Sequence, residues 1–142
     1  MSPAGRILGV DYGKRRIGLA VSDETATLAR PLATAEVTGR KAAAEAVAEA
    51  AKREGVRAVI LGDPRHMDGR ESTLGEEVRL LARRIEALLP GVQVVLWDER
   101  LTSHEAEAIL RERGERLQGR KGRLDQVAAA VLLQSYLDAG CP

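Results

Sequence analysis

Apolar residues recur along this chain with two periods, and the change from one to the other marks out its elements. Ile7-Leu8-Gly9-Val10, ending at Asp11, reads as a buried strand from Arg6 to Asp11. Tyr12-Gly13-Lys14-Arg15 is a turn, and the alternation of Ile17, Leu19 and Val21 returns the chain as a second strand, Arg16 to Val21, closing a hairpin. Leu28 to Val37 predicts a third strand, with Pro31 favouring a sheet edge or a bend. The Ala-rich stretch from Gly39 to Glu54 predicts a helix ended by Gly55. Val56 to Leu61 is a continuous apolar strand closed by Gly62-Asp63-Pro64, with a loop to about Ser72. Thr73-Leu74-Gly75-Glu76 has the form of a capping box and opens a helix with Val78, Leu81, Ile85, Leu88 and Leu89 on one face. Pro90-Gly91 stops it, and Val92 to Trp97 is the last strand. A second capping box, Thr102-Ser103-His104-Glu105, leads a helix with Ala106, Ile109 and Leu110. Gly114 and Gln118-Gly119-Arg120-Lys121-Gly122 then make a basic loop before a final helix, Leu124 to Leu137.

The order is β-β-β-α-β-α-β-α-α. A hairpin-connected trio of strands, followed by strands alternating with helices, predicts an α/β fold with a mixed five-stranded sheet flanked by helices. With 142 residues and no internal repeat or linker, residues 1–142 are expected to form one domain. No charged-then-apolar leader and no apolar run near the length of a membrane span is seen, so a cytoplasmic protein with no membrane partner is expected. The lone cysteine, Cys141, agrees with a reducing compartment.

Net charge is +1 and says little about partners, but its distribution says more. Six basic residues (Arg111, Arg113, Arg116, Arg120, Lys121 and Arg123) stand against two acidic ones between Arg111 and Arg123, and Lys14-Arg15-Arg16 follows Asp11. Such clusters suit a polyanion, although a solvated charged surface gives the same pattern. Phe is absent, and Tyr12, Trp97 and Tyr136 are the only aromatic residues. A single-stranded nucleic acid is usually gripped by several stacking aromatics, so recognition through backbone and shape is expected instead.

Three acidic residues occupy positions from which they could converge. Asp11 ends a strand, Glu99 follows the strand that ends in Trp97-Asp98, and Asp125 opens the last helix. Converging carboxylates need positive charge between them, and Mg²⁺ or Mn²⁺ prefers such oxygen donors. Paired ions of this kind are a common device for cutting phosphodiesters. Taken singly, Asp125 is equally a helix first-turn acid favoured by the dipole. Asp98 should face away from Glu99 across the strand.

Four segments read together resemble the YqgF/RuvX family, proteins associated with pre-16S rRNA maturation and Holliday junction resolution. They are Gly9-Val10-Asp11-Tyr12-Gly13-Lys14-Arg15-Arg16-Ile17-Gly18, Gly62-Asp63-Pro64-Arg65-His66-Met67-Asp68-Gly69-Arg70-Glu71, Asp98-Glu99-Arg100-Leu101-Thr102-Ser103-His104-Glu105-Ala106 and Lys121-Gly122-Arg123-Leu124-Asp125-Gln126-Val127-Ala128-Ala129. The resemblance spans about Arg6 to Asp138 and implies a ribonuclease-H-like fold related to RuvC resolvase. It also implies metal-dependent phosphodiester hydrolysis, with Asp11, Glu99 and Asp125 as catalytic metal ligands. The partner would be an rRNA precursor or branched DNA, and symmetric cutting of a junction would call for a homodimer.

Where relatives carry an apolar residue before the loop proline, this chain has Asp63, which is either a further metal ligand or a cap for the turn at Pro64. Lys14, Arg15, Arg120, Lys121 and Arg123 are candidate phosphate contacts, with solvated loop charge as the alternative. Arg100 would orient Glu99, touch phosphate or form a plain ion pair. Thr102 would cap its helix and donate to a phosphate there. His66 is either a surface residue or a water-activating group, His104 is expected at the surface, and Trp97 is expected to pack beneath the site. Two other readings stay open on residues alone. One is an ATP-binding domain of the actin/Hsp70 type, suggested by the first glycine-rich segment. The other is a ribosome-assembly module that docks without cutting.

Overall fold

The computed structural model describes residues 5–13, 15–63, 73–98, 108 and 121–142. Its elements are β1 (Arg6–Tyr12), β2 (Arg16–Ser22), β3 (Ala29–Glu36), α1 (Arg40–Glu54), β4 (Val56–Asp63), α2 (Thr73–Leu88), β5 (Gln93–Asp98) and α3 (Lys121–Asp138). The strands form one mixed sheet in the order β3-β2-β1-β4-β5. β1 runs antiparallel to β2 and parallel to β4, and β4 runs parallel to β5. The ends of β1, β4 and β5 therefore gather at one edge of the sheet, at Tyr12, Asp63 and Asp98.

Side-chain alternation assigns each face. Leu8 and Val10 of β1, Ile17, Leu19 and Val21 of β2, and Val59 and Leu61 of β4 pack with Val47 of α1 and Leu81 and Ile85 of α2. Ile7 of β1, Ala20 of β2, and Ala58 and Ile60 of β4 pack with Ala129, Leu133 and Tyr136 of α3. Gly9 also belongs to α3's face, where a Cβ would stand 2.8 Å from Leu133 Cβ and 3.1 Å from the Ala129 carbonyl. The second strand of the predicted hairpin and the Ala-rich helix appear within a residue or so of their expected bounds. Gly55 ends α1 with φ 65° and ψ 43°, the left-handed conformation open to glycine at little strain.

Pro31 lies on the outer strand, as its missing N–H requires. Leu19 pairs with Ala33 and Ala20 with Pro31, so Leu32 is the extra residue of a bulge. The final helix begins at Lys121, earlier than the expected Leu124, so Lys121 and Gly122 belong to it rather than to the preceding loop. A glycine in an opening turn costs about 1 kcal/mol at most, too little to hold back a helix whose next turns are packed. The predicted helix led by Thr102 falls outside the described residues except for Ala108, which is helical. Among the described residues, no helix is long and apolar enough to cross a membrane.

Candidate active site

The site is built on the face that α3 covers, at the edge where β1 ends. Asp11, half-buried, faces the same way as Gly9 and stands opposite Gly18 of β2 in the antiparallel register. Gly18 has no side chain because α3 occupies the space. A Cβ there would collide with the Asp125 carbonyl group and come within 2.9 Å of the Gln126 nitrogen. The backbone of Asp125 thus rests on the strand residue directly across from Asp11. This is how one residue of β1 and one of a helix 114 positions later come to share a corner of the sheet. Gln126 anchors the same turn on its far side, its Nε2 donating to Thr34 Oγ1 of β3 at 3.3 Å.

Asp125 is fixed through its side chain as well. Arg16 Nε donates to Asp125 Oδ2 at 2.7 Å, the length of a charge-assisted bond, with both side chains partly shielded. Because α3 begins at Lys121, Asp125 stands beyond the first turn, which contains no acid. The dipole account of this aspartate therefore does not apply, and the arginine replaces it. Arg16 was seen in the sequence only as one member of a basic cluster. The signal that could have singled it out is its two-residue spacing from Gly18, which places both on one face of β2.

Asp63 takes a different place. It ends β4 next to β1, but alternation turns it with Val59 and Leu61 toward α1 and α2, the opposite face from Asp11. There it is buried, at 5% exposure, and pairs in register with Asp98 of β5. Of the two readings of Asp63, a further metal ligand beside Asp11 does not agree with this face, because adjacency of strands in a sheet does not fix which side a residue points to. Asp98, itself exposed, shares Asp63's face, as its offset from Trp97 requires.

Trp97 lies on α3's face and is half-buried. Its ring meets Tyr136 edge-on at 5.2 Å between centroids, and its indole Nε1 donates to Ser135 Oγ at 3.2 Å. Arg15 is exposed in the β1–β2 turn, where its carbonyl accepts from the Val37 nitrogen at 2.9 Å. Glu99, Lys14, Arg100, Thr102, Arg120, His66 and His104 lie outside the described residues. Lys121 and Arg123 are placed in the first turn of α3 by their backbone. Among the described residues, no group of three His, Cys, Asp or Glu side chains gathers as a metal-binding cluster.

Around the edge from Asp11, the Tyr12 hydroxyl donates to Glu77 Oε2 at 3.3 Å, beside a cavity of about 440 Å³ lined by Tyr12, Gly39, Arg40 and Glu77. Burial first, then the Glu77 charge, pushes the Tyr12 phenol above its ordinary pKa.

Comparison with known proteins decides the family. Residues 5–139 match the family model of RuvX, Holliday junction resolvase. The chain belongs to the RuvX family. An Anaeromyxobacter dehalogenans (strain 2CP-C) relative is 45% identical, over 96% of this chain and 99% of its own. One from Syntrophus aciditrophicus (strain SB) is 42% identical over 94% and 89%, and one from Chlamydia pneumoniae is 42% identical over 93% and 89%. The name these relatives share proposes a pre-16S rRNA nuclease. Among solved structures, Thermus thermophilus RuvC matches with a TM-score of 0.62 at 19% identity, covering 95% of this chain and 96% of its own. The Fowlpox virus resolvase in complex with Holliday junction DNA matches at 0.61 and 15% identity, covering 96% and 99%. The fold is therefore the ribonuclease-H-like fold of the resolvases, as the four segments implied. Membership in the RuvX family makes this chain a nuclease that hydrolyses phosphodiester bonds and engages nucleic acid.

Proposed function

We propose that this RuvX-family nuclease is metal-dependent, with Asp11, Glu99 and Asp125 as its ligands and the 5′ region of the small-subunit rRNA precursor as its substrate. The observation that supports the site is the seating of the Asp125 backbone on Gly18, the strand partner of Asp11. Glu99 is the next residue after Asp98, which ends β5 on the same side of the sheet as the end of β1. Oxygen-only donors of this kind fit Mg²⁺ or Mn²⁺. When bound, such ions polarise the phosphoryl oxygens and lower the pKa of an attacking water.

The protein's own residues do the positioning. Asp11 and Asp125 supply negative charge from rigid backbone, one from the central strand and the other from a helix seated on glycine. Arg15, exposed in the hairpin turn, and Lys14, Arg120, Lys121 and Arg123 are the proposed phosphate contacts. Arg100 and Thr102 add contacts on the stretch that follows Glu99. Binding through such contacts weakens steeply with salt. The rRNA substrate rests on the name carried by relatives above 40% identity. A junction substrate is the second reading. It is favoured by the family's description and would require a homodimer, because two symmetric cuts need two sites.

The test is a cleavage panel in Mn²⁺, Mg²⁺ and EDTA. It holds a four-way junction, a duplex, a single strand and an RNA spanning the precursor's 5′ end, with Asp11→Asn beside each. Metal-dependent cutting of the RNA, lost in the variant, is the expected result. Cutting of the junction alone would replace the substrate, and no cutting with binding retained would leave a docking module in place of the enzyme.

A further inference from the structure

We infer that Arg16 is the positioning residue of the carboxylate corner, holding Asp125 by one oxygen so that the other is presented to a divalent cation. The inference rests on the metal-dependent reading above. Its ground is the pinning of both ends of the Arg16–Asp125 bond. On one side, the Arg16 carbonyl accepts from the Gly13 nitrogen at 2.9 Å, the neighbouring Arg15 carbonyl accepts from Val37, and Arg16 itself pairs with Glu36 of β3. On the other side, the backbone of Asp125 is seated on Gly18 and the next residue is tied to Thr34. The 2.7 Å bond spans two fixed frames 109 residues apart, unlike a surface pair of two mobile side chains.

The chemistry of the bond is specific. A carboxylate has two oxygens, and the Arg16 Nε–H takes Oδ2. That contact sets the rotation of the carboxylate and leaves Oδ1 for a second partner. Arg16 also shares its face of β2 with Gly18, so its positive charge stands beside the corner that Asp11 and Asp125 make together. The guanidinium balances part of that negative charge before any metal arrives. Partners that orient a metal's ligands in this way commonly carry ten- to a hundredfold of metal affinity.

The experiment measures Mn²⁺ affinity by electron paramagnetic resonance of the free ion, on full-length wild type, Arg16→Met, Arg16→Lys and Asp11→Asn. Folding is checked by circular dichroism and by the metal-free melting temperature. Arg16→Met is expected to weaken Mn²⁺ binding by about ten- to a hundredfold. Arg16→Lys keeps the charge and one donor and is expected to recover much of the loss. A merely structural ion pair would lower the melting temperature and leave the affinity of the folded fraction alone. Affinity in Arg16→Met equal to or tighter than wild type would overturn the inference, the tighter case marking Arg16 as a competitor of the metal. If Arg16→Met does not fold, Arg16→Gln and Arg16→Lys carry the same comparison. Loss of binding in Asp11→Asn with none in the Arg16 variants would sink this inference alone, whereas no binding by wild type would sink the metal-dependent reading with it.

Discussion

The two faces of the sheet are built on different plans. Toward α1 and α2 the strands present Leu8, Val10, Ile17, Leu19, Val59 and Leu61, all buried, against Leu81 and Ile85. Toward α3 they present Ile7 and Ile60 together with Gly9, Gly18, Ala20 and Ala58, and at the two glycines the helix comes so close that a Cβ would meet it. Polar links then fix the approach: Arg16 to Asp125, Gln126 to Thr34, Trp97 to Ser135, and Gln134, which accepts from the Ala29 nitrogen at 2.9 Å. Large aliphatic side chains stabilise by removing area from water, roughly 25 cal/mol per Å², and tolerate small shifts of what packs on them. Glycine contacts do neither: they fix where a helix backbone sits. Both faces bury apolar side chains, and the α3 face in addition locates a carboxylate.

The largest expected effects break that division from both sides. Leu61→Ala removes a fully buried side chain from the α1/α2 face and is expected to cost about 2–5 kcal/mol in chemical denaturation. Its folded fraction should keep metal affinity and cleavage. Gly18→Val puts a branched side chain where the Asp125 backbone lies, so α3 must move away or the strand must bend. Cleavage should fall at least a hundredfold, as expected of a displaced catalytic group, with a stability loss of about 1–3 kcal/mol or more. If Gly18→Val retained wild-type cleavage, the seating of α3 would not be what places Asp125.

A smaller contrast separates the two aspartates at neighbouring strand ends. Asp11→Asn should abolish metal-dependent cleavage with little change in melting temperature. Asp63→Leu should leave Mn²⁺ affinity within about threefold of wild type, because a tenfold change is about 1.4 kcal/mol and Asp63 faces away from the site. Calorimetric titration of the two variants reads the difference directly, and a large loss in Asp63→Leu would return that residue to the ligand set. Between these and the glycine effect lies Gly9→Ala. Its Cβ would meet the Leu133 side chain, which can yield, at 2.8 Å, and the Ala129 carbonyl at 3.1 Å, so about 1–3 kcal/mol of stability is expected with the site partly preserved.

Much of this plan was legible in the sequence. The hairpin, the central strand and both α/β units follow from hydrophobic period, and Pro31 announced an edge or a bend, which the structure shows as the outer strand. The four motif segments led to the family and to Asp11 and Asp125. The face of Asp63 was not read, although the alternation that turns Asp98 away from Glu99 applies equally to Leu61 and Asp63. Arg16 was missed for another reason. Its meaning depends on a contact across 109 residues, and the two-residue spacing that puts Arg16 on the face of Gly18 tells it from Arg15 only once α3 is known to cover that face. The start of α3 was placed late because Gly122 reads as a breaker, whereas packing of the later turns carries the helix through it.

The smallest expected effect compares the faces by their tyrosines. Tyr12 belongs to the α1/α2 side and Tyr136 to the α3 side, and both are buried. Burial raises both phenols above the ordinary value of 10.0, assisted by the Glu77 charge at Tyr12 and by Cys141 at Tyr136, and opposed by Arg40 and Arg57 respectively. A group whose pKa is raised on folding keeps its contribution below the unfolded value and loses it as pH climbs through the folded one. Stability should therefore be insensitive to these groups up to about pH 10 and fall above it. Tyr12→Phe and Tyr136→Phe should each remove part of that alkaline fall, read as urea midpoints between pH 9 and 11. The two differ in what else they disturb. Tyr12 loses a long bond to one carboxylate, whereas the Tyr136 hydroxyl donates to the Pro142 carbonyl at 2.8 Å and its ring backs Trp97. Tyr136→Phe should thus carry the larger loss at neutral pH and Tyr12→Phe the smaller. The reverse order would mean that the α1/α2 face also depends on polar positioning, and the contrast between the two faces would be one of degree.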